Sequence, residues 1–125
     1  MSYYSPPVYT TDSYCVSGQI CCYRHACGTS YLGLYIAIWK GQYDEQVSWP
    51  MSKIITASAV NQNNLSKSVG DRFASDDKPG FQNPPILVNE GWGFPKFLNL
   101  NASNISEFLK NNSLQIEIKL GDLQV

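Results

Sequence analysis

The sequence predicts an all-β protein, an antiparallel β-sandwich with one short helix near the C-terminus. Three observations lead to this class: hydrophobic residues alternate with a period of two in several segments, polar, glycine and proline clusters separate those segments, and a single short segment has a helical signature. A length of 125 residues with 43% hydrophobic content suits one core. Residues 1–125 are therefore predicted to form a single domain.

The clearest strand is predicted over residues 31–39. Its aliphatic residues fall on one face and its aromatic residues on the other: Leu32, Leu34, Ile36 and Ile38 against Tyr31, Tyr35 and Trp39. Residues 113–120 alternate between aliphatic residues and Gln115, Glu117 and Lys119, a pattern typical of a strand with one buried and one solvated face.

Other strands are predicted over residues 14–23, 52–60, 86–88 and 92–98, and the turn-rich segments 41–50, 61–80 and 84–85 are predicted to be loops. The one helical segment is residues 104–109. There Asn104 is expected to cap the first turn, with Glu107 reaching back in a capping box.

Charge and hydropathy exclude several classes of partner. The formal net charge is -1, and the nine basic residues are scattered along the chain, whereas nucleic acids and anionic membranes require concentrated positive charge. No apolar run approaches the ~20 residues of a membrane helix, and the N-terminus lacks a signal-peptide pattern. Neither nucleic-acid binding nor membrane insertion is expected.

The four cysteines, Cys15, Cys21, Cys22 and Cys27, lie close together in the sequence. Cys21 and Cys22 would point to opposite faces of a strand, and no Cys-x-x-Cys spacing occurs, so free thiols are predicted in preference to a zinc site or a disulfide framework. A redox or metal switch at this cluster is the alternative.

Signatures of catalysis are missing from the sequence. It has one histidine, no nucleophile-elbow motif, no phosphate-binding glycine loop and no paired carboxylates on rigid elements. The acidic pairs at Asp44 and Asp76 are interpreted as solvated loop residues. No enzymatic activity, cofactor or metal is expected.

The segment Gly91 to Phe97 concentrates aromatic residues between glycines and a proline. In a strand, Trp92 and Phe94 share one face, and the glycines beside Trp92 allow another backbone to approach closely. The rings are candidates for ligand contact, with a role in the core as the alternative.

Four segments resemble, in order, the landmarks of MATH (meprin and TRAF homology) domains: SPPVYT from Ser5, YLGLY from Tyr31, KGQYD from Lys40 leading to SWP from Ser48, and WGFPKF from Trp92. The family includes the C-terminal domains of the TRAF adaptors, the meprins and substrate adaptors of cullin ubiquitin ligases. The KGQYD and SWP segments are most similar to the TRAF branch, YLGLY to the meprin branch and WGFPKF to the ligase-adaptor branch.

The resemblance implies a sandwich that binds short extended peptide motifs of receptors or substrates, as a cytoplasmic, non-catalytic adaptor in TRAF-type signalling or ubiquitin-ligase recruitment. The aromatic-rich first strand of the family is missing ahead of Ser5. The coiled coil that trimerises TRAF proteins is also missing, so an oligomer is expected only through regions outside this sequence.

The resemblance also implies site residues. Tyr35, Trp92, Phe94 and Phe97 match positions that line the peptide groove in the ligase-adaptor branch, and Ile55 is a further candidate opposite them. In the TRAF branch an Arg and a Tyr hold the acidic part of the peptide, and their positions match Gln19 and Cys21. The positive charge is lost, which puts a preference for acidic peptides in question.

An extracellular structural or assembly domain of a meprin-like secreted or membrane protein is the alternative function. Four Asn-x-Ser/Thr sequons occur, at Asn64, Asn101, Asn104 and Asn111, which exceeds the number expected from the residue frequencies. A capping role for Asn104 would weigh against a glycan there.

Overall fold

The computed structural model describes residues 2–122, which contain ten strands and two 3-10 turns. The strands are β1 (Ser2–Tyr4), β2 (Val8–Tyr9), β3 (Cys15–Arg24), β4 (Ser30–Trp39), β5 (Lys53–Ala59), β6 (Val69–Ala74), β7 (Trp92–Asn99), β8 (Leu109–Lys110), β9 (Ser113–Leu114) and β10 (Ile116–Asp122). The turns span Leu65–Lys67 and Ile105–Glu107.

The strands form two facing sheets and a small hairpin. The larger sheet has the order β1-β3-β4-β7, with β2 also pairing with β3, and the smaller sheet has the order β10-β5-β6. Strands β8 and β9 pair with each other, and the pairings are antiparallel throughout. The predicted antiparallel sandwich is confirmed, and the short helix near the C-terminus is a 3-10 turn.

The core lies between the aliphatic face of β4 and the inner face of β5. All four aliphatic residues of β4 are buried, and Ile55, Ala57 and Ala59 of β5 have no exposed surface. Burying a leucine or isoleucine side chain contributes about 1.5–3 kcal/mol. The central strands of the two sheets therefore supply a large share of the apolar contact that stabilises the sandwich. Ile55, a site candidate from the sequence, belongs to this core.

A row of four phenylalanines closes the sandwich on the side where β6 and β7 lie. The ring centroids are 5.8 Å apart for Phe81 and Phe73, 5.5 Å for Phe73 and Phe94, and 5.9 Å for Phe94 and Phe97. Such tilted and edge-on geometries are favourable for aromatic pairs. The row joins the edges of the two sheets.

Three secondary-structure predictions are wrong. The segment predicted as a long polar loop contains β6, and residues 86–88 contribute an isolated bridge between Trp39 and Val88 instead of a strand. Asn104 makes no side-chain capping bond, and the backbone N–H of Glu107 donates instead to the Asn104 carbonyl oxygen at 2.9 Å. The reciprocal half of the capping box is also absent, since the Glu107 carboxylate accepts a hydrogen bond from Asn61 Nδ2 at 3.2 Å.

Asp44 is buried, contrary to the prediction that it is solvated. Its Oδ2 accepts a hydrogen bond from the backbone N–H of Gly41 at 2.9 Å, and its carbonyl oxygen accepts one from Trp49 Nε1 at 2.8 Å. The carboxylate thus fixes the turn that follows β4, which is a structural role for the KGQYD and SWP segments.

Candidate peptide-binding site

Strand β7 is the outer strand of the larger sheet. Within residues 2–122 it pairs with β4 alone, through Ile36 opposite Trp92, Leu34 opposite Phe94 and Tyr35 opposite Gly93. The other side of an edge strand presents backbone N–H and C=O groups that can pair with another chain. The WGFPKF segment therefore supplies a free strand edge as well as aromatic side chains.

Gly93 allows β7 to lie close against β4. A Cβ atom added at Gly93 would collide with the carbonyl oxygen of Leu34 and would lie 2.7 Å from the Cα of Tyr35. Glycine is the only residue without a Cβ, so it is the residue that permits this approach.

The middle of β7 carries a bulge. Leu34 and Leu32 on β4 are two residues apart, whereas their partners Phe94 and Leu98 on β7 are four apart. The Tyr23 hydroxyl donates a hydrogen bond to the Pro95 carbonyl at 2.7 Å and so ties the bulge to the outer face of β3. Bulges of this kind redirect side chains locally.

The bulge explains where the two phenylalanines point. Phe94 lies on the face of Leu34. Phe97 packs against a second group of core residues, which consists of Leu32, Ala59, Leu98 and Phe108. The two rings lie side by side although Phe94 and Phe97 are three positions apart, a spacing that would send them to opposite faces of a regular strand. Both are partly buried. The structure therefore does not bring the four predicted residues together around one pocket, because the phenylalanines close the sandwich edge. These residues are Tyr35, Trp92, Phe94 and Phe97.

Trp92 occupies the exposed end of the same face. It shares that face with Phe94, as predicted, but its side chain is 38% exposed. A shallow surface pocket of about 350 Å³ adjoins it, lined by Pro79, Gly80, Asn89, Glu90, Gly91 and Trp92. Asn89 Nδ2 holds this loop in place by donating hydrogen bonds to the carbonyl oxygens of Gly80, at 3.1 Å, and Gln82, at 2.7 Å.

Tyr35 lies on the opposite, outer face of the sheet with the other two predicted residues. Gln19 is directly opposite Tyr35 across β3 and β4, and Cys21 is two residues further along β3. A second shallow pocket, of about 300 Å³, is lined by Ser2, Tyr4, Gln19, Cys21, Tyr35, Glu90 and Gly91. The structure therefore divides the six predicted residues into an outer set and a set on the Trp92 face.

The outer pocket is only weakly charged. Burial raises the pKa of the Tyr35 phenol above its usual value, with further contributions from Tyr23 and Cys21, so the side chain is neutral at physiological pH. Glu90 is the one ionisable carboxylate lining either pocket within the described part of the chain. Glu90 borders both pockets and connects them across Gly91.

Glu90 and strand β1 contribute to this region but were not predicted from the sequence to do so. The sequence signal for Glu90 was its position directly before the Gly-Trp-Gly segment. The Tyr3 and Tyr4 pair was the second signal, since β1 places Tyr4 opposite Gln19 and against Trp39, with ring centroids 5.6 Å apart. Strand β1 thereby forms one rim of the outer pocket.

The four cysteines are dispersed in the structure and do not form a cluster. Cys15 is buried beneath the turn at Gly41, Cys21 lines the outer pocket, and Cys22 and Cys27 are exposed; all four are free thiols. Between residues 2 and 122, the structure contains no grouping of three or more His, Cys, Asp or Glu residues suited to a metal ion.

An antiparallel sandwich with an open strand edge between two shallow pockets has the architecture of a protein-interaction domain. The family description TRAF/meprin, MATH domain matches residues 1–117, and the chain belongs to this family. Domains of the TRAF type are interaction modules of adaptor proteins, so the chain is a protein-interaction module in this general sense.

Known proteins similar to this chain agree with that assignment. TNF receptor-associated factor 6 of Danio rerio is 26% identical over 125 residues, covering 94% of this chain and 22% of the relative. The protein of the same name from Xenopus tropicalis is 28% identical over 91 residues, covering 70% of this chain and 16% of the relative. The chain thus spans about a fifth or less of the length of these two relatives.

A solved structure, Notothenia coriiceps TRAF5, superimposes with a TM-score of 0.81 over 99% of this chain and 64% of its own, at 21% identity. This likeness establishes the fold.

No helix within residues 2–122 is long and apolar enough to cross a membrane.

Proposed function

We propose that the chain is a non-catalytic adaptor domain that binds a short extended peptide of a partner protein by adding it as a strand to the free edge of β7. The observation that carries this proposal is the division of the candidate residues between two faces. Successive side chains of a strand point to opposite faces, so an added peptide sends alternate residues toward Trp92 and toward Tyr35.

The charge at the site favours a particular class of peptide. Glu90 borders both pockets, and Gln19 and Cys21 contribute no positive charge. A peptide residue near Glu90 is therefore basic or a neutral hydrogen-bond donor, since an acidic residue there would meet a like charge. This specificity differs from the acidic preference implied for the TRAF branch.

The affinity is expected to be micromolar. Ordering a flexible peptide costs conformational entropy, and that cost offsets much of the contact energy. Weak, reversible binding suits an adaptor that samples several partners, as in cytoplasmic signalling or recruitment of ubiquitin-ligase substrates.

A peptide-display screen against the purified domain, followed by calorimetry on the enriched peptides, tests the proposal. Trp92→Ala and Tyr35→Ala should each weaken binding by about 1–3 kcal/mol, the range of hot-spot aromatic residues. Leu65→Ala, at a residue that is 75% exposed in a 3-10 turn, is the matched control and should leave affinity unchanged.

The alternation of the peptide's side chains between the two faces of the sheet gives a sharper test of strand addition. Alanine scanning of the best peptide should identify two sets of sensitive positions that alternate along the peptide. Substitutions in one set should no longer weaken binding to the Trp92→Ala domain, and substitutions in the other set should no longer weaken binding to the Tyr35→Ala domain. A folded domain that enriches no motif, or a peptide whose sensitive positions ignore both variants, would contradict the proposal.

The extracellular alternative is favoured by one observation: the side chains of all four sequon asparagines are exposed, and Asn104 makes no capping bond. Expression through a secretory pathway followed by glycosidase treatment and mass spectrometry tests it. Occupied sequons would favour a meprin-like role, and unmodified protein would favour the cytoplasmic adaptor.

A further inference from the structure

The outer face of the larger sheet continues past the Tyr35 pocket as a strip of tyrosine rings. Tyr31 and Tyr35 are four residues apart on β4, and Tyr23 lies directly opposite Tyr31 on β3, with ring centroids 6.1 Å apart. The ring of Tyr35 lies over Gly33, since a Cβ atom added at Gly33 would be 3.0 Å from the Tyr35 hydroxyl oxygen. The strip therefore extends from the Tyr35 pocket to the hairpin that joins β3 and β4.

Lys96 covers the far end of this strip. Its Nζ lies 5.4 Å from the centroid of the Tyr31 ring, within the range at which a ring face attracts an ammonium group. The residue is exposed, and within residues 2–122 it has no salt bridge with an Asp or Glu. The adjoining segments 23–31 and 94–101 contain no acidic residue. Within the described part of the chain, Lys96 is therefore a positive charge that an acidic ligand can reach.

Glu90 supplies the opposite charge at the other end of the strip. It borders the Tyr35 pocket, and its neighbour Gly91 lies against Tyr35 Cβ. Tyr35 and Tyr31 are four residues apart on β4, which is about 13 Å at the usual rise of a strand. A strand added beside β7 spans this distance with four residues, and side chains four positions apart point to the same face. One peptide can therefore contact both charges at once.

The backbone of β7 offers an added peptide less near Lys96 than near Trp92. Pro95 has no N–H to donate, and its carbonyl oxygen already accepts a hydrogen bond from the Tyr23 hydroxyl at 2.7 Å. The ladder between β7 and an added strand is therefore interrupted at Pro95. Recognition at this end depends on side chains, and Lys96 is the charged side chain next to the interruption.

We propose that the peptide added to β7 carries a carboxylate side chain that binds Lys96, four residues before the side chain that contacts Glu90. This proposal rests on the proposed function and adds a second specificity contact to the same site. The strands of the sandwich pair antiparallel, and an antiparallel peptide has its N-terminal part beside the C-terminal part of β7, where Lys96 lies. The expected motif is Asp or Glu, three residues of any kind, and then a basic residue or a neutral hydrogen-bond donor.

The two charges also select the direction of the peptide. If the same peptide lay parallel to β7, its carboxylate would approach Glu90 and its basic residue would approach Lys96. Both contacts would then join like charges, and repulsion of this kind discriminates strongly between binding modes. The antiparallel direction joins opposite charges at both ends.

Calorimetry on the best peptide of the display screen tests the proposal. The peptide is compared with its Glu→Gln or Asp→Asn form on the unaltered domain and on Lys96→Gln. Neutralising the peptide should weaken binding to the unaltered domain roughly two- to fivefold, the effect of one partly exposed ion pair, and should have no effect on the Lys96→Gln domain. Lys67→Gln removes the same charge from an exposed residue of a 3-10 turn and should leave the full ratio.

Reversing the charge provides the second measurement. Lys96→Glu should bind the peptide with Lys at the acidic position more tightly than the original peptide, which inverts the preference of the unaltered domain. A peptide in which the acidic residue and the donor residue exchange places should bind the unaltered domain more weakly than the original. Thermal melts establish that every variant is folded.

The outcomes separate this proposal from strand addition itself. Peptides that lose affinity for Trp92→Ala but give the same ratio on the unaltered and Lys96→Gln domains overturn the role of Lys96 and leave the proposed function intact. Enriched peptides with the carboxylate after the donor residue, or at no fixed distance from it, overturn it as well. A screen that enriches no peptide contradicts strand addition and this proposal with it.

Discussion

Gln19 and Tyr35 lie directly opposite each other on β3 and β4, and Gly91 closes over the pair from the adjoining loop. A Cβ atom added at Gly91 would lie 2.7 Å from Gln19 Oε1 and 3.1 Å from Tyr35 Cβ. The three residues thus bring separate parts of the chain together at the base of the outer pocket. The carboxylate of Glu90 lies at the border of the same pocket, so a positive charge introduced at residue 19 would change the charge of the pocket from acidic to balanced.

Replacing Gln19 should therefore change peptide preference. We expect Gln19→Arg to favour acidic over neutral peptides by about two- to fivefold, the effect of one partly exposed ion pair. Calorimetry with a matched pair of peptides that differ only by Glu and Gln measures the ratio. Gln46→Arg adds the same charge to an exposed loop and should leave the ratio unchanged. Equal responses in both variants would place residue 19 outside the site.

Two of the aromatic residues of β7, Trp92 and Phe94, should separate binding from stability. Phe94→Ala removes the ring between Phe73 and Phe97, and its cost is expected to approach the lower end of the roughly 3–5 kcal/mol typical of buried phenylalanines. Trp92→Ala should change the free energy of unfolding by less than about 1 kcal/mol, because its side chain is substantially exposed. Denaturant unfolding of both variants measures the contrast. Equal losses would assign Trp92 to the core.

The fold could be predicted because burial on one face leaves a period-two pattern. The strand predicted over residues 31–39 is β4, and its aliphatic face forms the core as expected. Strand β6 could not be predicted this way. Only Phe73 of its inward face lies over the core, while Val69 and Asp71 on the same face are exposed, so the strand has no hydrophobic alternation.

The candidate site was predicted less completely, for a geometric reason. Alternation correctly placed Trp92 and Phe94 on one face and Tyr35 opposite the aliphatic residues of β4. It could not indicate that Trp92 and Tyr35 lie on opposite faces, because that depends on the pairing of β7 with β4. It also could not reveal the bulge at Pro95, which brings Phe97 alongside Phe94.

A charged cluster at the end of the smaller sheet should make stability depend on acid pH. Burial tends to raise the pKa of Asp12, but hydrogen bonds with Lys53 and Thr10 outweigh it, so its pKa is below the usual 3.8. A lowered pKa in the folded state contributes stability above the unfolded pKa, and that stability is lost as the pH falls through the folded pKa. Asp12→Asn should lower the melting temperature at pH 7 and reduce its loss below about pH 4. Asp76→Asn, at an exposed loop residue, is the control for which the acid profile should remain that of the unaltered chain.

Cys27 should be the most reactive thiol near neutral pH. Hydrogen bonds from the backbone and side chain of Thr29, and from His25, lower its pKa to about 7. A thiol reacts through its thiolate, so alkylation should rise with a midpoint near that pH. Mass spectrometry after brief iodoacetamide treatment would identify the modified residue. Thr29→Val should move the midpoint upward, and faster labelling of Cys22, which is also exposed, would contradict the assignment.

Two glycines in strands should respond differently to the same substitution. Gly93→Ala would drive a methyl group into the Leu34 carbonyl, whereas the nearest atom to a Cβ at Gly121 is the Ile54 carbonyl oxygen at 3.9 Å, an ordinary contact. We expect Gly93→Ala to cost about 1–3 kcal/mol as β7 moves away from β4, and Gly121→Ala to be neutral or slightly stabilising.

Hydrogen exchange locates the effect of Gly93→Ala. Because the collision acts on the pairing of β7, amides of β4 that bond to β7 should lose protection while those of β5 keep theirs. Peptide affinity should fall in parallel, since a displaced edge strand no longer offers the added peptide a continuous ladder. If Gly93→Ala retains full stability and protection, then β7 is not held against β4 as the structure describes, and strand addition at that edge loses its basis.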